Sequence, residues 1–80
     1  MNAKVYVTLK KGVFDPQGEA VKGVLKTMGY DEVKSIRMGK YIELKLAGER
    51  LEEEKKRLDE MCRRLLSNPV IESYRFEIEE

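Results

Sequence analysis

The sequence predicts an α+β domain in which an antiparallel four-stranded sheet carries two helices on one face. Three observations predict it. Two stretches, Lys4 to Lys10 and Glu72 to Glu79, alternate apolar and polar residues with period two, as half-buried strands do. Two others, Pro16 to Met28 and Glu49 to Leu66, repeat apolar residues at helical spacing. Between the helices, Val33 to Met38 and Tyr41 to Leu46 flank Gly39-Lys40, and glycine at the first of two loop positions suits a type II′ hairpin turn. The order is therefore β-α-β-β-α-β, two βαβ halves joined by a hairpin.

Each element has its own justification. In the first strand Val5, Val7 and Leu9 point one way and Lys4, Tyr6, Thr8 and Lys10 the other. Asp15-Pro16 starts the first helix, Asp15 as an N-cap acceptor and Pro16 at N1 with its φ already set. Ala20, Val21, Val24, Leu25 and Met28 form a narrow apolar stripe, and Gly29 stands where a left-handed residue ends a helix. Ile42, Leu44 and Leu46 supply the core side of the third strand; its partner alternates less cleanly, which suits an edge strand or one partly covered by another subunit. Along the second helix Leu51, Leu58, Met61, Cys62, Leu65 and Leu66 track one face, and Glu52/Lys56, Glu53/Arg57 and Glu60/Arg64 have pairing spacing. Asn68-Pro69 stops it, and Tyr74, Phe76 and Ile78 form the apolar side of the last strand.

The composition narrows function. The 80 residues contain no His and one Cys, so no imidazole base, no internal disulfide and no structural zinc site of Cys/His type can form. Sixteen Lys and Arg against 15 Asp and Glu leave a net charge of +1, with no broad positive field for phosphate backbones or anionic membranes. No signal peptide or membrane-spanning run is expected, and a cytoplasmic location is. At this length the burial gain barely exceeds the ordering entropy of ~1.5 kcal/mol per residue, and association with a second copy or another protein is the remaining source of stability.

Two strings and one surface stand out. Asp15-Pro16-Gln17-Gly18 is a capped helix start, yet Gly18 in the first turn offers no side chain and costs up to ~1 kcal/mol of helix propensity, as a close approach of another backbone or a partner would explain. Arg37-Met38-Gly39-Lys40 puts two cations at a hairpin tip that needs neither. The sheet face away from the helices collects Tyr6, Thr8, Tyr41, Glu43, Lys45, Ser73 and Arg75, too aromatic for a mere solvent face and too charged for a core. Asp15, Pro16, Gly18, Arg37, Gly39 and Lys40 are thus expected to contact partners, and Tyr6, Tyr41 and Arg75 to lie in an oligomer face. Cys62 is expected to fill the core, because apolar burial raises a thiol pKa. No residue is expected to be catalytic, cofactor-binding or metal-binding.

Three strings carry a resemblance: Val7-Thr8-Leu9-Lys10-Lys11-Gly12-Val13 running into Asp15-Pro16-Gln17-Gly18-Glu19-Ala20, then Val33 through Arg37-Met38-Gly39-Lys40, then Met61-Cys62-Arg63-Arg64-Leu65-Leu66-Ser67-Asn68-Pro69-Val70-Ile71-Glu72-Ser73-Tyr74. In this order and spacing they resemble the PurS family, the small subunits of phosphoribosylformylglycinamidine (FGAM) synthase. The resemblance spans nearly the whole chain as one domain over 1–80; Phe14 departs from a frequent Leu, and Glu49 to Lys56 is generic. It implies a non-catalytic subunit in de novo purine synthesis that associates with itself as a dimer or tetramer. It would bridge a PurQ glutaminase, which releases ammonia, and a PurL synthetase, which uses ATP and Mg²⁺ to convert FGAR to FGAM. This chain itself would bind no cofactor, nucleic acid or membrane. A regulatory domain of ACT type shares the element order but is usually fused to an enzyme. An RNA-binding module of RRM type shares it too, but its aromatic third-strand signature is missing from Tyr41-Ile42-Glu43-Leu44-Lys45-Leu46.

Overall fold

The alternation of Lys4 to Lys10 does produce the central strand. In the computed structural model, which describes every residue from Met1 to Glu80, β1 (Asn2–Leu9) is flanked by β2 (Gly39–Lys45) and β3 (Glu72–Glu79) in the order β2-β1-β3, both pairings antiparallel. Ala3, Val5 and Val7 are fully buried on one face. Val5 stands opposite Ile42 and Phe76, and Val7 opposite Lys40 and Tyr74. The terminal ammonium extends the β1–β2 ladder by donating to the Leu46 carbonyl at 2.9 Å.

α2 (Leu51–Met61) and the π-helical turn that continues it (Cys62–Leu66) seal that face. Leu58 and Cys62 are fully buried against Ala3, Val5 and Val7, and Ile42, Leu44, Leu46, Leu66, Tyr74, Phe76 and Ile78 pack round them. The helix widens at its end because the Cys62 carbonyl accepts both the amide of Ser67 at 2.9 Å and its hydroxyl at 2.8 Å, five residues on. Of the expected helical ion pairs Glu60–Arg64 forms at 3.2 Å, while Glu52 and Glu53 turn to Lys55 and Arg50 rather than to Lys56 and Arg57. All are exposed, so the exchange has little energetic consequence.

Two expectations are corrected here. The sheet of a single chain has three strands, not four. Val33 to Met38 pairs with nothing and runs into β2 without a turn or bend, and Gly39 and Lys40 are the first residues of β2, opposite Thr8 and Val7, rather than a hairpin turn. Glycine is required there for another reason: a Cβ at Gly39 would overlap the Val7 carbonyl oxygen of β1.

The second correction concerns α1 (Pro16–Thr27). Its ends are as expected: Asp15 caps it, and Gly29 at φ 97° closes it through Gly29 N–H to Lys26 and Tyr30 N–H to Leu25 bonds. It does not cover the sheet, however. Gly18 is its one buried residue, and Val21, Val24 and Met28 on the apolar stripe are 39%, 59% and 64% exposed. The molecule is accordingly elongated, 49 × 25 × 14 Å.

Candidate functional site

The two strings singled out in sequence meet at one corner. Asp15 joins them: one carboxylate oxygen accepts the Gly18 amide at 2.9 Å, capping α1, and the other accepts the Met38 amide at 2.8 Å. Gly18 faces the segment that precedes β2, and a Cβ on it would overlap the Ile36 carbonyl oxygen and the Asp15 carboxylate. The close backbone approach expected at Gly18 is therefore real, and it comes from this chain. Arg37 donates to the Leu9 carbonyl at the end of β1, and Lys40 pairs with Glu72 of β3 at 3.9 Å. Both cations thus have partners in their own chain, contrary to the expectation that nothing local employs them.

Electrostatics follow the geometry. The amides of Gly18 and then Met38, with the Arg37 charge adding a smaller share, hold the Asp15 carboxyl below the usual carboxylate range. With both oxygens engaged, Asp15 is a structural acceptor rather than a poised base. A shallow groove runs over this corner, lined by Thr8, Leu9, Asp15, Gln17, Met38, Gly39, Lys40 and Glu72.

The sheet face away from α2 is also assembled as expected. Tyr6 stands opposite Tyr41 on one side and Arg75 on the other. The two rings lie 5.3 Å apart at 38°, and the Arg75 guanidinium sits 3.9 Å over Tyr6. Arg75 is held by Glu77 at 3.1 Å, and Tyr41 remains 50% exposed. Cys62 is buried in the core, and burial pushes its thiol pKa up.

Sequence reasoning missed a third feature, a groove between α2 and β2. Leu44, Met61, Leu65 and Leu66 line it with Arg57, Glu60 and Arg64, and Leu65 is 83% exposed. Its signal was present in the helix stripe, which is longer than one three-stranded sheet can cover. No group of three or more Cys, Asp or Glu side chains converges in a way that could hold a metal ion.

Residues 2–80 match the family described as PurS, phosphoribosylformylglycinamidine (FGAM) synthase. The chain belongs to the PurS family. The FGAM synthase subunit PurS of Bacillus subtilis is 51% identical over 81 residues, covering 96% of this chain and 90% of that protein. The solved B. subtilis PurS has a TM-score of 0.88 at 48% identity, covering 99% of this chain and 98% of that one. A chain of the PurLQS structure from Thermotoga maritima has a TM-score of 0.83 at 33% identity, covering 96% of both. PurS chains thus reproduce this architecture, and the ACT-type reading finds no support. The chain is a PurS subunit of FGAM synthase in purine biosynthesis, a part of a ligase complex.

Proposed function

We propose that this chain works as an assembly element: it associates with itself and bridges a PurQ-type glutaminase and a PurL-type synthetase, so that ammonia from glutamine reaches FGAR. The observation that carries this is the surface it leaves uncovered. An apolar helix face, an apolar groove and a tyrosine-arginine sheet face are all open on one small chain, and exposed patches of that kind mark protein interfaces. The similarity to a chain of PurLQS from T. maritima supports the choice of partners. ATP and Mg²⁺ would be held by the synthetase. No helix is long and apolar enough to cross a membrane, in keeping with work in the cytoplasm.

On this proposal Tyr6, Tyr41 and Arg75 meet another copy or a partner subunit. The Asp15, Pro16, Gly18, Arg37, Gly39 and Lys40 corner supports the contact by fixing the path of the chain beside its groove. Reconstitution tests it. Purified chain added to PurL and PurQ should switch on glutamine-dependent FGAM formation while leaving ammonia-dependent formation by PurL little changed. Equal glutamine-dependent rates with and without the chain would refute the bridging role.

A further inference from the structure

We infer that the outer edge of β3 docks an extended segment of another subunit of the complex. That segment alternates apolar residues with Lys or Arg and joins the sheet as its next strand. This rests on the bridging role proposed above and names a surface that performs it.

Hydrogen-bond direction locates the site. Lys10 donates to the Ile71 carbonyl at 2.8 Å, one step beyond the register in which β1 pairs with β3. Successive residues of a strand point their main-chain groups to opposite sides. Ser73, Arg75, Glu77 and Glu79 therefore bond to β1, while Tyr74, Phe76 and Ile78 turn N–H and C=O outward. Glu72 has the same outward phase, for its amide donates to the Asn68 carbonyl at 2.7 Å in the turn before the strand. β3 is the outermost strand on this side. No other group of the chain bonds the main-chain N–H or C=O of Tyr74, Phe76 and Ile78.

Such an edge invites pairing unless it is short or carries lysine, proline or a bulge. β3 has none of these. It runs eight residues as Glu-Ser-Tyr-Arg-Phe-Glu-Ile-Glu, and its pairing with β1 proceeds from Glu72 to Glu79 without a skipped residue. Its charges do not block an added strand, because Arg75, Glu77 and Glu79 project from the open sheet face rather than along the edge. Main-chain groups left free in this way are what strand addition uses for affinity, with alternate side chains setting specificity.

The two faces specify the visitor. On the α2 side Tyr74, Phe76 and Ile78 pack against the core cluster yet remain partly exposed, so apolar residues at every second position of an added strand extend the core. On the open side Glu77 and Glu79, followed by Glu80, outnumber Arg75, so the intervening residues of the visitor are cationic. The same charges argue against a second β3 as occupant. Two copies would bring together three glutamates each, with one Arg75 each that its own Glu77 already holds at 3.1 Å.

Amide exchange of the ¹⁵N-labelled chain, free and assembled with PurL and PurQ subunits, tests this. In the free chain Tyr74, Phe76 and Ile78 should exchange rapidly and Arg75 and Glu77 slowly. In the complex the first three should slow to match their neighbours. Rapid exchange at all three in a complex that forms FGAM from glutamine would overturn the edge site and leave bridging standing. A chain that joins neither PurL nor PurQ would overturn both. Protection already present in the free chain and lost on dilution would make a second copy the occupant, against the proposal.

Backbone N-methylation is a second check. Cys62 allows the chain to be ligated from residues 1–61 and 62–80, with N-methyl-Phe76 in the second piece. The methyl removes an outward donor and leaves every bond to β1, so circular dichroism should be unchanged while partner binding weakens by roughly tenfold or more. Undiminished binding counts against the proposal. Glu77→Gln with Glu79→Gln, both exposed, should also weaken binding and flatten its salt dependence, and an unchanged affinity would overturn the cationic chemistry.

Discussion

The Asp15 carboxylate accepts the Met38 amide at 2.8 Å, across 23 residues of sequence. Its other oxygen caps α1 through Gly18. One side chain therefore ends a loop, starts a helix and holds the segment that leads into β2. Loss of that carboxylate should loosen three things at once.

Asp15→Ala should lower the melting temperature, and the loss should depend on pH. The folded pKa of Asp15 lies below its unfolded value of about 3.9, so its contribution is fully present above the unfolded value. It disappears as pH falls through the lowered folded value. The difference in melting temperature between wild type and variant should hold steady from pH 7 to 5 and shrink below about pH 4. A difference that grows on acidification would contradict the assignment.

Two glycines of α1 should respond oppositely to alanine. A methyl at Gly18 meets the Ile36 carbonyl and the Asp15 carboxylate, and we expect Gly18→Ala to destabilise by roughly 1–3 kcal/mol. A methyl at Gly23 meets nothing within 4 Å, so Gly23→Ala should stabilise by up to ~1 kcal/mol through helix propensity alone. Urea unfolding of both variants decides it, and equal effects would remove the steric explanation.

Leu58 is fully buried at the centre of the cluster under β1. Leu58→Ala should cost about 2–5 kcal/mol, a large share of what so thin a core can supply, with the outcome read from urea midpoints. A loss below 1 kcal/mol would mean that the helix layer is looser than described.

The hydroxyl of Tyr74 donates to the Asp59 carboxylate at 2.5 Å, which raises the Tyr74 pKa. Asp59 keeps Arg63 at 3.0 Å when that donor is removed, so Tyr74→Phe should cost only about 1 kcal/mol. Burial and the neighbouring Glu43 raise Tyr41 as well, so absorbance titration of the wild type should show two tyrosines ionising later than the others, and the variant should show one.

Cys62 should resist iodoacetamide in the native protein and react on denaturation, because its burial excludes the reagent and raises the thiol pKa. Rapid native labelling would place Cys62 elsewhere.

Much of this protein was legible in the order of its residues. Period-two alternation placed β1 and β3 to within two residues, and Asp15-Pro16 and Gly29 marked both ends of α1. The three family strings carried the identity. These features act over a few residues, so composition and spacing express them directly. Tertiary structure alone decided the rest. Gly39-Lys40 has the chemistry of a tight turn, yet pairing with Thr8 and Val7 draws both residues into β2. Gly18 signalled a close approach, but only the fold shows that the Ile36 carbonyl makes it, and Arg37 looked unpartnered until the end of β1 lay within reach. Each outcome depends on a contact between distant segments, which local propensity does not encode. Whether Val33–Met38 turns back or runs on depends on which apolar surfaces finally cover one another.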